Sequence, residues 1–480
     1  MSIDTQGTAP LVTATPEAAA SSAIASQLGE FAHSLRFEDI PADVVETAKL
    51  LVLDSLGIGF ASGTFDFAHK AVAAVDELAD DQPGSATVIG SAKSYSMRDA
   101  VLLNGLLVHG LDFDDTHPEG VIHASASALP TALGVAEKLR LSGRELLTAY
   151  IIGLEVDARL GMAARGGFHQ VGFHPTGLLG AFGAAVVASR LRGLSAAQIA
   201  QAQGFVGSLA SGSLEFLQTG AWTKRVHPGW AGVAGITAAA FAGKEFLSPP
   251  DIYEGRFGLY ASHLGAAKEE DLAECTRGLG ETWETRRVAV KPFPACHFTH
   301  AFADAVLAIR SEHDIKPDDI ESINCLIAEG EVKTVCEPLD LKRAPKTAYE
   351  AQFSVPYVAA ASLLHGDFTL KELEPEALAN PDVLALAQKV SYEADPDSGF
   401  PALFSGEVVI TTKDGRTLRH REQINRGAGQ RPLSRADIET KFHTTSTLAC
   451  SDERSSQIVE AVAALESTGD VTELTAFLHG

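Results

Sequence analysis

The chain has 480 residues, 45% of them hydrophobic, and a formal net charge of −24. That length exceeds what one core usually organises, so two domains are expected, and so acidic a surface repels nucleic acid and anionic membranes, which excludes both as partners. The five cysteines (Cys275, Cys296, Cys325, Cys336 and Cys450) are odd in number and contain no CxxC pair, which argues against a disulfide framework or structural zinc and points to a reducing cytoplasm.

In chain order, residues 1–22 lack a basic stretch followed by an apolar core and read as a flexible leader rather than a signal peptide. Residues 23–286 read as the first part of a helical domain. Apolar residues recur at helical spacing over Glu46–Phe60, Met97–Leu111, Ala126–Leu139, Glu145–Met162 and Gly177–Leu191. The most apolar run, Gly177 to Ser189, is too short to cross a bilayer and predicts a buried helix. Ser195 followed by Gln198 is a capping box that opens another helix. After Trp283 the pattern changes, and residues 287–430 read as an α+β lid. Strands are predicted at Ile320–Ile327, Gly406–Thr412 and Thr417–Gln423, the last two joined by an Asp414-Gly415 hairpin turn. Helices are predicted at Thr299–His313 and Phe353–Leu364, and residues 431–480 return to helix. The fold expected is mainly α: a large helical domain built from both chain ends, with a smaller α+β lid inserted.

Four clusters carry possible chemistry. The first runs from His109 through Asp112, Asp114, Asp115, Thr116 and His117 to His123. His109 and Asp112 are one helical turn apart and predict a shared face. Carboxylates at a helix C-terminus oppose its dipole, so imidazolium, a metal or buried hydrogen bonds must offset the cost. The spacing matches no metal motif, and no metal is expected. In the second cluster, Phe173-His174-Pro175, the proline suits a first helical turn and puts His174 beside a helix N-terminus, where anions bind and a neutral imidazole is favoured. In the third, Lys224, Arg225 and His227 form a candidate carboxylate clamp. In the fourth, Lys291-Pro-Phe-Pro-Ala-Cys296-His297, a covalent cysteine mechanism is disfavoured because adjacent residues rarely face each other productively. No nucleophile elbow, Walker loop or dinucleotide fingerprint is present, so neither a nucleotide cofactor nor serine hydrolysis is expected.

The stretches LLVLDSLGIGFASG, NGLLVHGLDFDDTH, HASASALPTALGVAEK, GFHPTGLLGAFGAAVVASRLRGLS, TKRVHPGWAGVAGITAA and KPFPACHFTHAFADA occur in an order that resembles the MmgE/PrpD family of 2-methylcitrate dehydratases and cis-aconitate decarboxylases. The resemblance implies a helical domain with an α+β lid, a homodimer and no cofactor. It places catalytic roles on Asp112, Thr116, His123, His174 and Lys224. His117 rivals His123, because the gap after Thr116 is one residue longer here than in vertebrate-type decarboxylases. Substrate contacts are expected from Lys224, Arg225, His227, His117, Lys291, Cys296 and His297. Vertebrate-type decarboxylases carry histidine where this chain has Cys296. The expected function is a cytoplasmic lyase that removes a proton next to a carboxylate of a small anionic polycarboxylate, first of all by dehydrating a 2-methylcitrate-like or citrate-like acid. The alternatives are a decarboxylase of the cis-aconitate type, an epimerase of an amino- or imino-dicarboxylate, and a non-enzymatic polycarboxylate-binding protein.

Overall fold

A computed structural model describes residues 23–79, 84–266 and 268–480; the leader expected at 1–22 lies outside them. The longer helices are α1 (Ile24–Ser34), α2 (Ala42–Ser62), α3 (Asp66–Leu78), α4 (Met97–His109), α5 (Ser125–Leu139), α6 (Gly143–Ala164), α7 (Pro175–Leu191), α8 (Ala196–Val206), α9 (Thr223–Ala242), α10 (His300–Glu312), α11 (Val355–His365), α12 (Arg435–Ser446) and α13 (Asp452–Ala463). The chain is mainly helical with one small sheet, as the periodicity predicts. Among the described residues no helix is long and apolar enough to cross a membrane.

Two buried cores divide the apolar side chains. The first takes in α1 to α9 and also Ile438, Phe442, Ile458 and Val462 from α12 and α13, so helices from both chain ends share it. Helix α7 is apolar on all sides and buried along nearly its whole length, with α5, α6 and α9 packed around it. Small residues let these helices approach closely. A Cβ on Gly105 of α4 would lie 2.5 Å from the Cα of Gly229 in α9, so only glycine permits this crossing. The crossing matters for function, because it brings the first turn of α9 against the C-terminal end of α4.

The second core runs from Phe293 to Leu418 and lies under the sheet. The strand order is β2-β1-β3-β4, with β1 (Ile320–Ile327) parallel to β2 (Val390–Ala394) and antiparallel to β3 (Gly406–Thr412), which pairs antiparallel with β4 (Thr417–Glu422). Ile323 faces Val390 on one side and Ile410 on the other, which fixes the register through buried side chains. Gly415 supplies the positive φ (+86°) of the predicted β3–β4 turn. The edge strand β2 was not expected; it is short, and most of its side chains are exposed or half-buried.

Candidate active site

Helix α4 ends at His109, with Gly110 as its cap. Asp112 therefore lies beyond the helix, with φ at +51°, and the expectation that it continues a helical face with His109 is corrected. This left-handed conformation is tolerated by aspartate but needs support. Support comes from two lysines. Lys224 Nζ and Lys291 Nζ each donate to Asp112 Oδ1 at 2.9 Å, and Lys291 also donates to the Asp112 carbonyl at 2.9 Å. Burial would raise the Asp112 pKa, yet Lys224 and then Lys291 hold it well below the usual carboxylate range. These two ammonium groups offset the cost that carboxylates impose near the end of α4.

Lys224 belongs to the first turn of α9 and is 5% exposed, so the Lys224–Arg225 pair is part of a buried helix rather than an exposed basic turn. The neighbouring Arg225 diverges from Lys224. Its Nε donates to the Gly110 carbonyl at 2.6 Å, and its guanidinium lies between the rings of Phe67 and Tyr349, 4.3 Å from each, facing a separate cleft.

Three imidazoles stand beside Asp112. His123 Nε2 is 3.8 Å from Asp112 Oδ1, and its Nδ1 is 3.3 Å from Asp114 Oδ1. His109 Nδ1 donates to Asp114 Oδ2 at 2.7 Å. His174 caps α7 ahead of Pro175, and its Nδ1 is 3.0 Å from Nδ1 of His227. One hydrogen serves that pair, so one of the two rings exposes a bare Nε2 while both are neutral. Ring centroids lie 4.7 Å apart for His109–His123 and 5.4 Å for His109–His174. Burial pushes His109 down to about 4, opposed by Asp114 and aided by Lys224. Burial likewise lowers His123, and it lowers His174 well below the ordinary value, with His227 and Lys224 adding to the effect. These shifts favour the neutral imidazole in all three.

Beside these groups lies a cavity of about 50 Å3 between the two cores. Asp112, Thr116, His123, His174 and Lys224 line it from the helical side. Lys291, Cys296 and His297 line it from the segment that leads into α10, and Phe353 and Phe404 close it from the lid. A wider cleft of about 460 Å3 shares His169, Phe216, Thr334 and Phe353 with this cavity and leads outward. Burial, with Asp112 adding to it, pushes the Cys296 thiol up to about 12, so it is not a thiolate. Asn425 donates to His297 Nε2.

Besides Arg225, two more expected contact residues are placed elsewhere. His117 points away from the cavity; its Nε2 is 3.1 Å from Glu284 Oε2 and its Nδ1 accepts from the Gly120 N–H at 3.0 Å. A turn between His117 and Ile122, which pair through their backbones, separates it from His123. His227 sits behind His174 rather than on the cavity wall. Sequence reasoning did not select His109, Asp114 or Asn425 as site residues. The first two stand in the motif that drew attention to Asp112, but nothing in the sequence near Asn425 pointed to it.

Comparison with known proteins agrees with this architecture. Residues 26–271 match the MmgE/PrpD N-terminal domain and residues 293–466 the MmgE/PrpD C-terminal domain. The cis-aconitate decarboxylase of Mus musculus is 32% identical, with 93% of this chain and 92% of the relative covered. The cis-aconitate decarboxylase of Homo sapiens is 31% identical, with 93% of each chain covered, and that of Aspergillus terreus is 25% identical, with 96% of each covered. The chain belongs to the MmgE/PrpD family.

Proposed function

We propose that this chain is a cofactor-independent lyase that acts on a small polycarboxylate through a carbanion next to a substrate carboxylate. The observation that carries this reading is the Lys224–Asp112–Lys291 arrangement beside neutral imidazoles. An ammonium has three N–H donors, and Asp112 takes one from Lys224, which leaves donors for a substrate carboxylate. When a proton or a carboxyl group leaves the adjacent carbon, charge accumulates on that carboxylate, and a fixed ammonium in a dry site stabilises it. A bound polyanion also raises the pKa of the imidazoles around it, so His123 and His174 can hold and return a proton during turnover.

Decarboxylation of a cis-aconitate-like acid is the first specific reading, and the cis-aconitate decarboxylases similar along nearly the whole chain support it. The bond to the departing carboxyl breaks, its electron pair enters the allylic system, and an imidazolium protonates the carbon that gains it. Dehydration of a citrate-like or 2-methylcitrate-like acid is the second. It is favoured by the neutral imidazoles, the state of a general base. Here a histidine takes the proton beside the carboxylate, and the hydroxyl leaves as water after receiving a proton. Incubation with cis-aconitate, citrate and 2-methylcitrate, read by released carbon dioxide and by enoate absorbance, separates them. Carbon dioxide from cis-aconitate supports the first reading, and new enoate without carbon dioxide supports the second. Calorimetric binding of citrate with neither product would sink the lyase reading and leave a binding protein.

The partner completing the molecule is proposed to be a second copy of the chain. Trp222, Val226, Trp230 and Phe241 form an exposed apolar stripe along α9, 39% to 50% accessible. On a chain of net charge −24, an exposed apolar stripe is where like copies can meet. Light scattering of Trp230→Asp against the native chain tests it; a native monomer overturns it.

A further inference from the structure

Five consecutive residues at the centre of the site, Asp112 to Thr116, are each held by a contact from outside those five. Asp112 is held by Lys224 and Lys291. Asp114 is held by His109, and Asp115 accepts from the Ser125 N–H at 3.2 Å. Thr116 exchanges backbone hydrogen bonds with Ala289 at 2.9 and 2.8 Å. The grip on Phe113 comes from Lys441 on α12, near the C-terminus. Its Nζ donates to the Phe113 carbonyl at 2.9 Å and lies 3.8 Å from the centroid of the Phe113 ring. The same ammonium pairs with Asp54 Oδ1 of α2 at 2.7 Å, and both side chains are buried.

This ammonium is itself fixed. Helix α12 packs directly on α2, and a Cβ on Gly57 of α2 would come 2.5 Å from Thr445 Oγ1 and 2.8 Å from the Phe442 ring. Lys441 thus sits on a rigid helix pair, with a carboxylate on one side and the peptide that joins Phe113 to Asp114 on the other. Asp112, at φ +51°, is the residue before Phe113, and Asp114 is the residue after it. A shift of the Phe113 peptide would move both carboxylates, and with them Lys224, His109 and His123.

We infer that Lys441 is a positioning residue for the reaction, through which helix α12 sets the geometry of the Asp112–Asp114 turn. It lies outside the cavity lining and acts only through the turn. The inference rests on the reading that Asp112, Lys224 and His123 carry the chemistry. Misplacement of such a constellation by about 1 Å costs on the order of 100-fold in rate.

The test uses the full chain with Lys441→Met, Lys441→Arg and Asp54→Asn. Turnover of the acid accepted by the native chain is measured per citrate-binding site, so unfolded molecules are not counted. Hydrogen exchange of the peptide spanning residues 110–118 is followed in parallel. Lys441→Met is expected to lower kcat by about 10- to 100-fold with KM within about 2-fold, because the lost contact supports the transition-state geometry. Exchange of the 110–118 peptide should rise while peptides from α2 remain protected. Lys441→Arg should restore most of kcat, and Asp54→Asn, which keeps the bond to Phe113, should cost less than Lys441→Met. Should Lys441→Met fail to fold, Lys441→Gln takes its place, and a native-like kcat and native-like exchange in it would overturn the inference. Native-like kcat and exchange in Lys441→Met overturn it directly. Loosened exchange in a chain that turns over no polycarboxylate would leave the grip standing and remove the lyase reading instead.

Discussion

The two walls of the cavity are built on different physical plans. On the helical wall the polar groups are held by polar partners: Asp112 by two lysines, Asp114 by His109, His174 by His227. The lid wall presents Phe353, Phe404 and Thr334, with Phe353 4.9 Å beneath the Lys224 ammonium. Proton transfer needs fixed distances and tuned pKa values, which the helical wall supplies. Under the proposed lyase reading, the aromatic lid wall would supply shape and exclude water, and the kind of reaction and the choice of acid would be set on opposite sides.

That contrast can be broken most decisively at Lys224. Lys224→Ala removes the cavity-facing cation and leaves Asp112 with Lys291 alone, and kcat/KM should fall by about 1,000-fold or more. A loss of less than about 10-fold, measured by steady-state kinetics, would end the carboxylate-clamp reading. His123→Ala should lower kcat by about 100- to 1,000-fold with little change in citrate affinity, whereas His117→Ala should leave kcat within about 3-fold; reversed results would exchange their roles. On the lid wall, Phe404→Ala should change the preference among acids of different size more than it changes kcat on the best one. Equal losses on every acid would contradict the division of labour.

A pH effect belongs to the helical wall. Burial, with Asp114 adding to it, pushes the Asp115 carboxyl up to about 7. The folded chain thus binds this proton more tightly than the unfolded chain does. The stability it contributes is complete below the ordinary carboxyl range and is lost as pH rises through about 7. The melting temperature should fall between about pH 5 and about pH 8, and Asp115→Asn should flatten that slope. The smallest effect is expected at Cys296. With its thiol pushed up to about 12 it carries no thiolate, so Cys296→Ser should retain kcat within about 3-fold and alkylating reagents should not inactivate through it.

Much of this arrangement is legible in the sequence where one local rule suffices. Pro175 fixes the start of α7 and so the place of His174, and the apolar length of α7 announces its burial. The hairpin turn at Asp414-Gly415 shows itself through its φ requirement. What escapes are relations between distant segments. The helix spacing that joins His109 to Asp112 fails because α4 stops at His109 and the chain turns through a positive φ. Lys224 and Arg225 are adjacent, yet successive positions on a helix point about 100° apart, so one meets the cavity and the other a separate cleft. The pairing of His174 with His227 and of His297 with Asn425 depends on the docking of separate elements, which no spacing encodes. The strand β2 is too short and too polar to announce itself; it exists because β1 offers an edge.

The small volume of the central cavity has a thermodynamic consequence. A chamber of about 50 Å3 admits only a few water molecules, so little solvent stands between the Lys224 ammonium and an anion placed beside it. Phe216 and Phe353 line both this chamber and the wider cleft outside it. Affinity for a carboxylate is therefore a net quantity: the attraction of the lysines, strengthened by scarce solvent, less the cost of stripping the acid of its own water.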